Sequence, residues 1–430
     1  MKFVTDVITF EVMPETKREN VLLFATVSVI LAVGAFIFWG PLFHQKRRGK
    51  VLGLVNLGYT CFLNTLLQAL ASCPVVLDWL SKHQNSANKK SFIAALQNTL
   101  QVLNGKEGSE DPYTPSKLIQ SLHGHGWIIS PGEQDAHELF LVIVTTLEEE
   151  VQQKLPKVCS LSAAVEDGLR EIQQHGLQAT LLSPKPSSWW QEAKLKGPLP
   201  FQGLFASQLQ CMSCKYKSAV HYATFYSLSL VLPPRLSVLG TMDEFYTLQE
   251  LIGHYVTSRV VNDVTCDGCG CRDTAQVKSL NFGKLPRCLC IHIARTIWEG
   301  EPLKRDDHIR FPEILVMDPY TYNYIQQTQL SNSKLQVGDQ SCTNGLINSS
   351  SLTRKRFRHL YQLTAVVVHK GSLFYGHFIT YRRGVGKYYN SWFYTSDAEV
   401  RETTLHEVMQ ASAYMLFYTK FTSSASHSVH

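Results

Sequence analysis

Cys61 lies in Gly53-Leu-Val-Asn-Leu-Gly-Tyr-Thr-Cys-Phe-Leu-Asn-Thr-Leu-Leu-Gln-Ala-Leu70, where a glycine-containing turn delivers a thiol to the first turn of an apolar helix. The N–H groups and macrodipole of a helix N-terminus favour an anion, so a thiol there ionises more readily, and the thiolate is the nucleophile. A buried structural cysteine satisfies the same local pattern. A nucleophilic cysteine needs a base, and the base needs an orienting partner. Among 16 histidines the best placed is His377, which follows Gly376 at the start of the strand-like run Gly376-His-Phe-Ile-Thr-Tyr381, with His369 in the same hairpin. Glycine permits close backbone approach just before the ring, and a strand after it fixes the ring's direction.

Two further constellations carry chemistry. Cys211-Met-Ser-Cys214 and Cys266-Asp-Gly-Cys269 are CxxC pairs about fifty residues apart. Two such pairs could close a tetrahedral thiolate zinc site, structural because it has no open position. Cys271 is an alternative ligand, and ordinary reduced thiols are the alternative to a site. Gln134, Asp135 and Glu138 stand near a helix start, where acidic side chains are stabilised and where capping alone accounts for them.

The elements that must position these residues can be read from periodicity. Helical spacing runs from Cys61 toward Leu70, over Ser91–Leu103 and over Gln134–Glu150. Polar, proline-bearing sequence at about 155–200 predicts a surface insertion, and the Gln-, Ser- and Asn-rich residues 326–353 predict a flexible excursion. Short β-prone runs cover Phe225–Leu232, Arg287–Ala294, Tyr361–Val368, Gly376–Tyr381 and Ser412–Tyr418. With 430 residues, 44% of them hydrophobic, the chain can bury a large core. A net charge of +6 without a concentrated basic patch predicts no nucleic-acid partner. Eleven irregularly spaced cysteines exclude a disulfide framework and predict a reducing compartment.

Residues 21–39 contain no charge over 19 positions. At about 1.5 Å per residue this is close to the minimum for a helix crossing a hydrocarbon core of about 30 Å. Trp39 suits the interface, and His44-Gln-Lys-Arg-Arg-Gly-Lys50 follows, whereas residues 1–20 hold Lys2, Lys17 and Arg18 against four acidic side chains. The basic excess on the C-terminal flank predicts that the large domain faces the cytosol. Such a span resembles the signal anchors of mitochondrial outer-membrane proteins. Endoplasmic reticulum and peroxisomal membranes remain alternatives, since hydropathy separates them poorly.

In this order, the Cys61 segment, Gly132-Glu-Gln-Asp-Ala-His-Glu-Leu139, and Tyr361-x-Leu-x-Ala-Val-x-x-His369-x-Gly371 with Gly376-His377-Phe378 resemble the signature boxes of the ubiquitin-specific proteases. The resemblance runs from about Leu52 to Tyr418. It implies an α+β fold, a papain-like thumb, palm and fingers gripping ubiquitin, preceded here by the transmembrane helix. It implies Cys61 as nucleophile, His377 as general base and acid, and Asn56 as oxyanion-hole donor. At the orienting position, where the family usually has Asp or Asn, this chain has Ser396, with Asp397 next to it as the alternative. A serine hydroxyl can hold the imidazole tautomer but brings no charge. Tyr59 is a second departure, where the family has Asn. The resemblance further implies that Gln134, Asp135 and Glu138, with Phe374 and Tyr375 on a neighbouring loop, contact the ubiquitin tail. It supports zinc on Cys211, Cys214, Cys266 and Cys269, with no cofactor for catalysis.

The anchor narrows the resemblance to the branch of the family in the mitochondrial outer membrane, which implies substrates there, an opposition to mitophagy, and a preference for chains linked through the lysine nearest ubiquitin's N-terminus. The expected organisation is residues 1–20 in the intermembrane space, a span over 21–39, a basic linker over 40–51, a catalytic domain over 52–421 with the two insertions, and a flexible tail over 422–430. The expected partners are ubiquitin, ubiquitinated proteins and the membrane. A catalytically weak ubiquitin-binding scaffold, suggested by the uncharged Ser396, and a protease for a ubiquitin-like modifier are the rival functions.

Overall fold

The computed structural model of the chain describes residues 51–83, 91–106, 111–128, 134–153, 198–233, 246–299, 301–336, 357–373 and 375–421. The apolar run after Cys61 forms the helix Cys61–Ala71, in which every residue from Phe62 onward is buried. A helix without a solvent face belongs at the centre of a core. Around it pack the helices Pro74–His83, Phe92–Leu103, Ser116–Gly124 and Ala136–Gln153. Two of these start where their capping residues dictate. Ser91 Oγ accepts from the Ala94 N–H at 3.3 Å, and Asp135 Oδ1 accepts from the His137 N–H at 2.6 Å.

The second half of the chain builds a large sheet ordered Glu399–Thr403, Trp392–Ser396, Gly376–Arg383, Leu360–Gly371, Ala413–Lys420, Cys288–Ala294 and Leu228–Val231, with Ile314–Val316 joined to Leu360–Gly371. All pairings are antiparallel except that between Leu228–Val231 and Cys288–Ala294. Alternate side chains enter two cores. Val367, Met415, Phe417, Cys288 and Cys290 face the helices, whereas Val366, Leu416, Tyr418, Leu289 and Ile291 fill a second cluster. Burial on both faces explains why these strands read as unbroken apolar runs. A separate four-stranded sheet, ordered His221–Phe225, Gly203–Cys211, Thr274–Lys284 and Arg259–Val264, carries the CxxC pairs at its end.

Three sequence expectations are modified. The run Phe225–Leu232 is two strands, because Phe225 ends one in the four-stranded sheet and Leu228 begins one in the large sheet. Between them Tyr226 donates to Glu148 at 2.6 Å, which anchors the crossover to the helix Ala136–Gln153. Within the excursion expected over 326–353, residues up to 336 continue the helix Tyr322–Gln336, and the rest lies outside the described residues. At the end of the insertion expected over 155–200, Leu199 and Pro200 are core residues, with the Pro200 carbonyl accepting from the Cys288 N–H at 2.9 Å. The remainder of that insertion, residues 1–50 with the expected span, and the tail 422–430 lie outside the described residues. Among the described residues no single helix is long and apolar enough to cross a membrane.

Phe140 joins the layers, edge-on to Phe201 at 5.0 Å and to Phe417 at 5.9 Å. Truncation of such a buried ring removes about 3–5 kcal/mol, so Phe140→Ala is expected to lower the urea unfolding midpoint markedly; an unchanged midpoint would contradict this packing.

Candidate active site

Cys61 is half-buried at the first position of its helix, after the turn Asn56–Thr60. Asn56 holds that turn together. Its Oδ1 accepts from the N–H groups of Gly58 at 3.0 Å and Thr60 at 3.2 Å, while Thr60 Oγ1 accepts from the Leu57 N–H at 2.9 Å. Gly58 has φ +109, a conformation that side chains resist, which explains glycine at this point of the turn. With its oxygen committed, the Asn56 amide nitrogen is aimed away from the turn. It donates to Asp397 Oδ2 at 2.8 Å. An amide nitrogen has two hydrogens, so one remains for a substrate oxyanion.

His377 opens the strand Gly376–Arg383, and its Nε2 lies 2.9 Å from Ser396 Oγ but 4.0 Å from Asp397 Oδ2. Ser396 is therefore the hydrogen-bonding partner of the ring, and Asp397 is not. Asp397 instead binds amides, since Oδ1 accepts from Asn64 Nδ2 at 2.8 Å and Oδ2 from Asn56. Its carboxylate still stands near the ring. Orientation of the imidazole and supply of negative charge thus come from neighbouring residues.

Gly376 is needed for a local reason. A Cβ there would lie 1.9 Å from His369 Nε2, whose ring stacks on Phe378 at 4.5 Å. The preceding loop is tied down by Lys304, whose ammonium donates to the carbonyls of His369 at 3.0 Å and Gly371 at 2.5 Å. Tyr375 on this loop is 85% exposed, and Phe374 lies outside the described residues.

Asp135 caps its helix and also accepts from the Tyr414 hydroxyl at 2.8 Å. Burial and then this carboxylate push the Tyr414 phenol well above its ordinary range. Glu138 is exposed and Gln134 half-buried beside it. Beneath them His137 and His292 stack at 4.1 Å, each on a serine, Ser227 and Ser229. Burial, reinforced by the neighbouring imidazole, lowers His292 to about 3, so it stays neutral at physiological pH. His292 and Tyr414 carry no signal that singles them out among residues of their type; Asn64 shows in the sequence only as one of the polar residues, with Thr65 and Gln68, inside an apolar helical run.

The four sulfurs of Cys211, Cys214, Cys266 and Cys269 lie within 4.8 Å of one another, with Cys214 and Cys266 3.6 Å apart. Tetrahedral zinc with bonds of about 2.3 Å needs sulfur separations near 3.8 Å, so the set fits. Both pairs form the same turn. Lys215 and Gly270, each following the second cysteine, have φ of 62 and 68, and their N–H groups bond the carbonyls of Cys211 and Cys266 at 3.1 and 2.8 Å. Cys271 is exposed and outside the cluster. These residues could hold one structural metal ion at the end of the separate four-stranded sheet.

The family model described as ubiquitin carboxyl-terminal hydrolase matches residues 52–418. The chain is similar to ubiquitin carboxyl-terminal hydrolase 30 of Xenopus tropicalis, 34% identical over 93% of this chain and 87% of that protein. It is similar to ubiquitin carboxyl-terminal hydrolase 30 of Homo sapiens, 33% identical over 93% and 90%. Among solved structures it resembles the SAGA Ubp8/Sgf11/Sus1/Sgf73 DUB module bound to ubiquitin aldehyde, with a TM-score of 0.60, 22% identity and coverage of 92% of this chain and 76% of that one. That likeness shows a shared fold, mixed helix and sheet.

Two outcomes are expected from this geometry. Asp397→Ala frees Asn56 and is expected to lower kcat by about 10²–10³-fold, the loss typical of one oxyanion donor, and at least as much as Ser396→Ala; steady-state assays of both variants decide, and a nearly silent Asp397→Ala would contradict the arrangement. Elemental analysis of purified protein is expected to find about one zinc per chain, falling in Cys214→Ser while Cys271→Ser retains it.

Proposed function

The chain belongs to the ubiquitin carboxyl-terminal hydrolase family, as a cysteine-type ubiquitin hydrolase, and from that membership we propose that it is a membrane-anchored deubiquitinase of the mitochondrial outer membrane in which Cys61, His377, Ser396 and Asn56 perform the hydrolysis. The substrate is the isopeptide bond at the C-terminal glycine of ubiquitin. Cys61 passes its thiol proton to His377 and attacks the glycine carbonyl carbon as thiolate, and the carbonyl electron pair moves to oxygen, where the remaining Asn56 amide hydrogen meets it. Collapse expels the lysine amine, which takes a proton from His377 and leaves a thioester on Cys61. Water, deprotonated by His377, then releases ubiquitin. Ser396 holds the imidazole throughout.

One observation carries this reading. Two adjacent residues, Ser396 and Asp397, bind the candidate base and the candidate oxyanion donor at 2.9 and 2.8 Å. In a ubiquitin-binding scaffold without turnover, neither pairing would have a task. Asp135, with one oxygen engaged by capping and Tyr414, offers its second to the basic tail of ubiquitin, and the family resemblance assigns Gln134, Glu138, Phe374 and Tyr375 to the same tail. The uncharged residues 21–39 with the basic residues 44–50 support anchoring, and their resemblance to the signal anchors of mitochondrial outer-membrane proteins supports the mitochondrial role. On this reading the substrates are outer-membrane proteins and the enzyme opposes mitophagy, with ubiquitin chains linked through the lysine nearest its N-terminus as preferred substrates.

The full chain is expected to hydrolyse a fluorogenic ubiquitin C-terminal amide, and Cys61→Ala to abolish it; turnover that survives Cys61→Ala would exclude the mechanism. Removing residues 1–40 is expected to release active enzyme from mitochondrial membranes, and continued sedimentation with them would refute the single anchor.

A further inference from the structure

We propose that Arg382 is a positioning residue for hydrolysis, holding the helix that carries Cys61 in register with the strand that carries His377 through Gln68 and Asn104. The inference rests on the reading of Cys61 and His377 given above.

Arg382 is fully buried, and among the described residues no carboxylate pairs with it. Its guanidinium donates instead to Gln68 Oε1 at 2.9 Å and to Asn104 Oδ1, while its Nε has no partner. Burial pulls its pKa down to about 9. An apolar side chain of similar volume would fill the site at lower cost in desolvation. What only arginine supplies is a rigid planar fork that reaches two acceptors at once.

Both acceptors are themselves tied to the nucleophile's surroundings. Gln68 Nε2 donates to the Leu52 carbonyl at 2.7 Å, ahead of the turn that presents Cys61, and Asn104 Nδ2 donates to the Ala71 carbonyl at 2.9 Å, at the far end of the Cys61 helix. On that helix Cys61, Thr65 and Gln68 follow i, i+4, i+7 and share a face. On the strand Thr380 and Arg382 alternate onto one face. Thr65 with Thr380 and Gln68 with Arg382 therefore form two successive rungs between the elements. One rung alone would leave the helix free to pivot. Two set both its axial position and its rotation, and because a helix advances about 1.5 Å per residue, a slip of even part of one residue moves the thiol by an amount that matters.

The test uses the full chain and a ubiquitin C-terminal fluorogenic amide, with active molecules counted by titration with a thiol-reactive ubiquitin probe, so that unfolded protein does not count as a lower kcat. Arg382→Met is expected to lower kcat per active site about ten- to a hundredfold with KM within about twofold, the signature of misplaced reacting groups. Gln68→Met is expected to do the same, the double variant to be no worse than the more impaired single, and Arg382→Lys to recover only part of the loss, since one ammonium cannot span both acceptors. An unchanged kcat in both single variants, strictly multiplicative losses in the double variant, or a rise in KM at constant kcat would overturn the proposal. Absence of turnover by the unmodified chain would instead refute the hydrolase reading on which it rests.

Discussion

On the proposed mechanism a thiol and an imidazole from opposite ends of the domain must meet at atomic tolerance, and the buried seam between the Cys61 helix and the Gly376–Arg383 strand is what that arrangement depends on. The helix is buried from Phe62 to Ala71 and so is fixed in the core as a whole. Apolar packing is non-directional, however, and resists translation less strictly than hydrogen bonds with defined geometry. The seam supplies direction through polar groups placed inside the core, Thr65 on Thr380 and Gln68 on Arg382. Such groups are costly to bury and specify one arrangement when satisfied.

Around this seam the active-site loops divide their tasks. The strand pair Trp392–Ser396 and Glu399–Thr403 turns at Asp397, whose φ of 48 lets consecutive side chains point to different targets. Ser396 meets the ring and Asp397 meets two amides. The same turn is locked to the nucleophile loop by the Asp397 carbonyl, which accepts from the Leu54 N–H at 2.9 Å, and by Gly53, where a Cβ would collide with Ala398. A serine in the orienting position therefore does not strip the site of its negative charge. The carboxylate stands one residue along the chain, where it also holds the Asn56 amide.

The four-stranded sheet is stabilised on a different principle. Its strand Arg259–Val264 is largely exposed and its apolar cluster is confined to the end near Phe205, Phe225 and Phe282. The opposite end has four sulfurs within 4.8 Å of one another, which suits cross-linking by a metal where hydrophobic burial is thin.

The sequence alone determined the elements whose signal is local or periodic: the Cys61 helix, the helix begun by Asp135, the long strands, the CxxC turns, and the family to which three ordered boxes point. Local turn and helix-terminus chemistry also singled out Cys61 and His377, and the family resemblance added Asn56 and the Ser396–Asp397 pair. It left open which of Ser396 and Asp397 orients the ring, since one residue of slip in a loop changes no local property. Only the tertiary structure decided which groups each one meets, bringing Asn56 and Asn64 to Asp397 and leaving Ser396 to hydrogen-bond His377. Likewise Gln68 and Arg382 are ordinary polar residues in the sequence, and their burial against each other is a property of two elements meeting, which no local pattern encodes.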